Sequence, residues 1–227
     1  MKPISVVVPV LDESAVIAHT LARLAPLRAA GHEVVVVDGG SADGTAALAA
    51  PRCDRVLASA PGRARQMNAG AAAARGAILL FVHADTLLPP GADEAIGHAL
   101  ADGRRCWGRF DVRLDGDEHA FRVIERLMNL RSRVSGIATG DQAMFVTREA
   151  FAAVGGFPDQ ALMEDVALSA RLKRLSRPAC LAGPVITSAR RWRERGVART
   201  VVLMWRLRLA YALGADPRSL ARRYQRG

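Results

Sequence analysis

His83 and Asp85 stand two residues apart in "FVHADTLLPP", where an apolar run ends and prolines begin. Residues at that spacing in a strand point the same way, so an imidazole and a carboxylate can converge on one ligand, a metal ion or a phosphate. The polar end of a buried strand would look the same. A magnesium ion on a nucleotide diphosphate takes only one or two protein carboxylates, so Asp85 alone can serve as the hard oxygen ligand. His83 can bind manganese directly, orient a ribose, or be a satisfied strand-end histidine.

Three further stretches carry chemistry of the same kind. In "VVVVDGGSADGT" Asp38 ends an apolar run and is followed by glycines. Its carboxylate can accept hydrogen bonds from a base or ribose, or the segment can be a plain turn in which Ser41 or Asp43 caps the next helix. A calcium loop is ruled out, because its twelfth position is Ala49 rather than a bidentate glutamate. "PGRARQMNAG" places Arg63, Arg65 and Asn68 near a helix start, where cations and free backbone donors can hold an anion. A solvated basic face has the same pattern. "QALMEDVALSARL" opens a helix with Glu164 and Asp165; acids there suit the helix dipole, and adjacent carboxylates can also supply a general base for a hydroxyl nucleophile.

The elements that must position these residues alternate. Short β-branched runs at 4–10 and 33–38 enclose a helical pattern at 14–27, a βαβ unit. Helices at 45–50 and 64–75 then alternate with strands at 55–58 and 78–83. Helices at 92–101, 120–133, 149–154 and 164–175 and strands at 107–114 and 142–147 follow, with a loop of small residues at 136–140 and a tail helix at 197–213. Near-continuous apolar strands between helices predict an α/β fold, a mostly parallel central sheet covered on both faces. Ligands of such sheets sit beyond the carboxyl ends of the strands, where Asp12, Glu13, Asp38 and Asp85 all fall.

Half of the 227 residues are hydrophobic, enough for a full core. The charge is concentrated: residues 190–227 hold eleven arginines against Glu194 and Asp216, a net of +9 beside +10 for the whole chain. An amphipathic basic tail of this kind suits an anionic membrane surface, or a helix docked on the sheet with its arginines in water. It has no recognisable nucleic-acid reading module, so nucleic acid is not the expected partner. Cys53, Cys106 and Cys180 show no C-x-x-C spacing, which fits neither a disulfide framework nor a zinc knuckle and points to a reducing cytoplasm. The N-terminal run is broken by Pro9 and lacks a small-residue cleavage site, so a strand is expected there rather than a signal peptide. Arg199, Arg206 and Arg208 interrupt the best candidate for a membrane span, leaving a cytoplasmic protein, free or peripheral on the inner face of the membrane.

In order, "VVPVLDES", "VVDGGSADGT", "GRARQMNAG", "HADT", "GDQAMFVTREAFAAVGGF" and "MEDVALSARL" resemble the motifs of family 2-like glycosyltransferases of the GT-A fold. The resemblance spans residues 2–192 and is similar to the small, stand-alone bacterial members. It implies a catalytic domain over 1–195 and a basic helical extension over 196–227. By the same resemblance Pro9, Val10 and Glu13 border the nucleotide base, and Asp38 contacts base or ribose. Arg63, Arg65 and Asn68 lie near the nucleotide, and Asp85 reaches the divalent cation, Mg²⁺ or Mn²⁺. His83 stands where the family usually has an aspartate. Gly140, Asp141 and Gln142 match an acceptor-side loop that precedes Arg148, and Asp165 of the Glu164–Asp165 pair matches the catalytic base. "SARRW" resembles the Q-x-x-R-W motif of processive members only at Arg191 and Trp192.

The implied activity is a non-processive, inverting, metal-dependent transfer from a nucleotide-diphosphate sugar to an acceptor hydroxyl on a small molecule, a lipid-linked compound or a glycan. The alternatives are a sugar nucleotidyltransferase, although acids replace its glycine-rich basic loop in "PVLDES", and a catalytically inactive nucleotide-binding scaffold marked by His83. A dehydrogenase would need G-x-G-x-x-G at the first turn, where it is absent.

Overall fold

A computed structural model of the chain describes residues 2–226. Its sheet has eight strands: β1 (Ile4–Val10), β2 (Glu33–Asp38), β3 (Arg55–Ala58), β4 (Ile78–Phe81), β5 (Thr86–Leu87), β6 (Trp107–Leu114), β7 (Phe145–Thr147) and β8 (Ala179–Thr187), in the order β3-β2-β1-β4-β7-β6-β8-β5. The helices are α1 (Ile17–Ala29), α2 (Thr45–Ala49), α3 (Arg63–Ala73), α4 (Ala92–Leu100), α5 (His119–Ser135), α6 (Arg148–Ala153), α7 (Glu164–Leu172), α8 (Arg190–Arg195), α9 (Val197–Ala212) and α10 (Pro217–Arg226).

Four of the ladders are parallel and join β3, β2, β1 and β4, and β6 to β8; β7 is antiparallel to both β4 and β6, and β5 to β8. Every residue of β1 and β2 is buried, as expected of strands covered on both faces. Two apolar layers result. One joins Val6, Val8 and Val10 to Ile17, Leu21 and Leu24 of α1; the other joins Val7, Val35 and Val37 to Ala64, Met67 and Ala71 of α3. A side chain at Gly70 would put its Cβ 2.3 Å from Val7 Cγ1. That missing methyl lets α3 lie close on β1 and brings its first turn to the rim.

Two expectations need correction. β4 ends at Phe81, so His83 and Asp85 lie in a turn, closed by Thr86 N–H to His83 O at 3.1 Å, and not in an alternating strand. The strand expected at 142–147 starts at Phe145, because Gly140–Gln142 closes a 3-10 turn capped reciprocally by Thr139 and Gln142.

β8 was not expected at all. Gly183 and Pro184 interrupt its pattern, and the structure places them where the register with β6 shifts, between Phe110–Leu181 and Val112–Val185. At the C-terminus α10 folds back on α9, sharing a cluster of Met163, Leu207 and Leu220 with the loop before α7. Among the described residues no helix is long and apolar enough to cross a membrane.

Candidate functional site

The carboxyl ends of β1, β2 and β4 form the rim where the site is built. Pro9 and Val10 end β1 opposite Val37 and Asp38 of β2. The two loops that follow are laced together. Asp12 N–H donates to Ser41 Oγ (2.9 Å), Glu13 N–H to Thr45 Oγ1 (2.9 Å), Ser14 N–H to Asp43 (2.9 Å) and Ala42 N–H to Asp12 (2.9 Å). Asp38 is buried and accepts from the N–H groups of Gly40 and Ser41 and from the Ser41 hydroxyl. Asp38 itself closes this turn, whereas the cap expected of Ser41 or Asp43 is not made: Gly44 is the N-cap of α2 and no side chain caps it. Beneath the loops lies Gln66, a buried residue that sequence reasoning missed; its amide donates to Val10 O (2.7 Å) and Val37 O (2.9 Å) and pins the two strand ends.

α3 divides its three expected residues. Arg63 turns to Glu164, Nη1 to Oε1 at 3.6 Å. Arg65 points to Asp159 at 2.9 Å with both side chains about half exposed. Asn68 spends its amide on the backbone of Phe157, accepting from N–H at 3.0 Å and donating to O at 2.8 Å. The structure thus joins Arg63 to the acids of α7, while Arg65 and Asn68 brace the loop before that helix.

The acids and His83 converge through one glycine. Asp165 Oδ2 accepts the Gly140 N–H at 2.7 Å, and its Oδ1 accepts the N–H of Val166 at 2.7 Å. A Cβ on Gly140 would stand 2.6 Å from both Cε1 and Nε2 of His83. Only a residue without a side chain lets the ring and the carboxylate share this loop. His83 Nε2 is buried without a hydrogen-bond partner among the described residues. Burial, reinforced by the Arg63 charge, lowers the His83 pKa to about 3, so the ring is neutral at neutral pH.

Glu164 is 3% exposed. Burial and then the charge of Asp165 raise its pKa to about 7 in spite of Arg63. Asp85 is also held above the usual carboxylate range by burial, against the charges of Arg190 and Arg63. Glu13 is raised by burial and next by Asp85, which places these two acids in one electrostatic neighbourhood.

The donor set can be tested for a divalent cation. Among the described residues no group of three His, Cys, Asp or Glu side chains could hold a metal ion by itself. A half-buried, hard carboxylate with a second acid nearby does fit a cation whose remaining ligands are phosphates and water.

The segment expected as a loose loop at 136–140 is tied down at Ala138, which bonds Ser169 Oγ at 3.1 Å, and at Gly140. Beyond it Asp141 Oδ1 and two nitrogens of Arg131, Nε and Nη1, are buried with no partner among the described residues. Burial raises the Asp141 pKa and lowers that of Arg131. Arg131 carried no sequence cue, being one arginine among many.

Arg148 is structural, donating to the carbonyls of Ala71, Ala74 and Gly76. Arg191 stacks on Tyr224 at 3.6 Å, and Trp192 packs beside α5. Backbone strain marks the same places. The non-glycine residues with positive φ among those described are Asp12 (53°), Ala143 (44°) and Met163 (67°). They adjoin Glu13, Gln142 and Glu164, and such strain, of order 1–3 kcal/mol per residue, clusters at functional sites.

The sequence model of a family described as glycosyl transferase family 2 matches residues 5–155. "Uncharacterized protein MT1568" of Mycobacterium tuberculosis (strain CDC 1551 / Oshkosh) is 33% identical over 146 residues, 60% of this chain and 46% of that protein. The chain therefore spans under half the length of that relative. Solved structures share the fold at low identity. TarS 1-349 of S. aureus in complex with UDP-GlcNAc superposes with a TM-score of 0.66 at 18% identity, covering 82% of this chain and 58% of that one. Glucosyl-3-phosphoglycerate synthase from Mycobacterium tuberculosis, with Mn²⁺, UDP and glucosyl-3-phosphoglycerate, gives 0.61 at 20% identity over 81% of this chain and 70% of that one. The mannosyltransferase PcManGT from Pyrobaculum calidifontis, with GDP-Man and Mn²⁺, gives 0.63 at 21% identity over 98% of this chain and 69% of that one.

Proposed function

The chain belongs to glycosyl transferase family 2 and has the GT-A fold, and from that premise we propose that it moves a sugar from a nucleotide-diphosphate sugar to an acceptor hydroxyl, with inversion and without processivity. The observation that carries this reading is the convergence of His83, Gly140 and Asp165 beside the turn that bears Asp85. It sets the carboxylate of Asp165 near the turn of Asp85, which supports reading them as base and phosphate-side acid.

In this mechanism Asp165 takes the proton of the acceptor hydroxyl as its oxygen attacks the anomeric carbon, and the bond to the diphosphate oxygen breaks. The Gly140 N–H fixes the carboxylate that does so. Asp85, with Glu13 near it, would hold Mg²⁺ or Mn²⁺, which when bound neutralises charge on the diphosphate. Arg63 adds a fixed positive charge on the same side, and Glu164, protonating near neutrality, keeps the Asp165 neighbourhood from carrying two full negative charges. Pro9, Val10, Glu13 and Asp38 form the wall for the base and ribose, and Arg65 and Asn68 hold the loop before α7 in place.

Residues 1–195 make up the catalytic unit in this reading, and 196–227 are a basic extension that meets an anionic membrane surface. The free thiols of Cys53, Cys106 and Cys180 agree with a cytoplasmic location. The test is release of nucleoside diphosphate from a panel of UDP-, GDP- and TDP-sugars with Mn²⁺. Turnover of at least one donor is expected; tight nucleotide binding with no turnover of any donor, over a range of acceptors, would replace the enzyme by a scaffold.

A further inference from the structure

Among the described residues twelve large hydrophobic side chains are exposed; seven of them lie on two helices, and an eighth, Leu213, caps the second. On α5 they are Val123 (56% exposed), Leu127 (58%), Leu130 (58%) and Val134 (72%), spaced four, three and four residues apart. On α9 and its C-cap they are Val202 (55%), Trp205 (73%), Leu209 (63%) and Leu213 (79%), spaced three, four and four. Spacings of three and four draw one stripe along a helix, so each helix presents a continuous apolar edge outward in addition to the face it buries. The helices are neighbours: Phe121, Ile124 and Met128 of α5 share a cluster with Val197 and Val201 of α9. Singly scattered apolar residues need no explanation, whereas contiguous ones mark a binding face.

Charge selects the occupant. α9 contains Arg199, Arg206 and Arg208 and no acid. The one acid of α5, Glu125, is buried, with its carboxylate on the Leu114 N–H and beside Arg122, while Arg126 is exposed beside the stripe and Arg133, also exposed, pairs with Asp111. Between α9 and α10 lies a groove of about 840 Å³ lined by Arg199, Arg206 and Arg223 together with Val202, Leu203 and Leu207. Guanidinium groups beside an apolar floor match a molecule with an anionic head and a hydrocarbon body. A second copy of the chain would bring a segment of net charge +9 against itself, which like-charge repulsion opposes.

We propose that α5 and α9 together form one docking face for an anionic lipid bilayer, with the apolar stripes entering the interface and Arg126 of α5, Arg199 and Arg206 of α9 and Arg223 of α10 on the phosphates. This deepens the membrane reading of the tail and rests on it for the charge of 196–227; the new element is α5, which lies in the catalytic body.

The test is co-sedimentation of the full chain with phosphatidylglycerol vesicles and with phosphatidylcholine vesicles, at low and high salt. The wild type should pellet with the anionic vesicles, less so as salt rises, and scarcely with the neutral ones. The double variant Leu127→Glu/Leu130→Glu and the variant Trp205→Glu should each lower partitioning by about tenfold or more, since each sets a carboxylate against the headgroups and removes apolar area. All three positions are exposed, and circular dichroism checks that the variants fold. If Trp205→Glu lowers binding and the α5 variant does not, the tail alone docks and the two-helix face is wrong. If the wild type binds neither kind of vesicle, both membrane readings fall; if it forms a dimer that Leu127→Glu/Leu130→Glu dissociates, the α5 stripe is an interface between copies and the two-helix face is wrong. None of these outcomes depends on transferase activity.

Discussion

Two parts of one rim use their polar atoms in opposite ways. In the loops after β1 and β2, Asp12, Asp38, Ser41, Asp43 and Thr45 answer one another and the backbone, and Gln66 closes the strand ends from below. Across the rim, His83 Nε2, Asp141 Oδ1 and Arg131 Nε and Nη1 are buried with nothing to bond to among the described residues. Buried polar groups are nearly always paired, and each one left unpaired costs about 1–3 kcal/mol. The first region is a finished frame. The second stores interaction free energy that a bound molecule can recover, and Asp165 stands beside it.

The largest expected effects fall on the second region. Asp85→Ala should abolish the difference in nucleotide affinity measured with and without Mn²⁺ and lower turnover by about a hundredfold or more; an unchanged metal dependence would remove Asp85 from the site. Gly140→Ala should lower kcat by roughly ten- to a hundredfold, because a 1 Å misplacement costs that much, and the new Cβ would stand 2.6 Å from the His83 ring. Adding His83→Ala to Gly140→Ala should return part of the loss if the clash is the cause. No recovery in the double variant would mean that the histidine does not set the position of Asp165.

A smaller effect concerns pH. The Glu164 carboxyl titrates near 7 in the folded chain, against an ordinary value of 4.5. The folded state therefore binds more protons than the unfolded state between those values, and stability contributed by this group falls as pH rises through them. Glu164→Gln should flatten that fall by about 2 kcal/mol between pH 5 and pH 8, read as the difference in urea midpoints between variant and wild type. A variant whose midpoints follow the wild type across this range would show that Glu164 is not held protonated. The smallest effect belongs to the frame: Gln66→Ala should cost about 1–2 kcal/mol of stability through the hydrogen bonds to Val10 O and Val37 O that it removes, with nucleotide affinity changed far less than by Asp85→Ala. A larger loss of affinity than of stability would mean that Gln66 serves the nucleotide wall directly rather than by holding the strand ends.

Much of the frame could be read in the sequence. "ISVVVPV" and "EVVVVD" are dominated by β-branched apolar residues, and both strands are buried along their whole length with the expected bounds. β8 escaped because Gly183 and Pro184 interrupt it, and its irregular register with β6 is what accommodates them. α8 and α10 escaped because their arginines read as charge rather than as helix.

For the site, local motifs singled out Asp85, Glu164 and Asp165 as candidates but implied a strand beneath His83, where the chain turns instead. The meeting of His83, Gly140 and Asp165 joins residues far apart in the chain, and no local period encodes it. Arg131 and Gln66 were invisible for a related reason: their roles depend on what surrounds them after folding, not on their neighbours in sequence. Asn68 was placed near the nucleotide, yet its amide bonds the Phe157 backbone, a contact across 89 positions.

The central claim is that Asp165 is the base of a sugar transfer. The direct measurement is nucleoside diphosphate release by wild type and Asp165→Asn, with the best donor and acceptor and saturating Mn²⁺, alongside nucleotide affinity for both. Asparagine can keep an oxygen for the Gly140 N–H, so affinity should stay within about threefold while kcat falls by about 10³-fold or more, the range typical of losing a general base. Equal turnover in the two proteins would contradict the account and move the proton transfer to another residue.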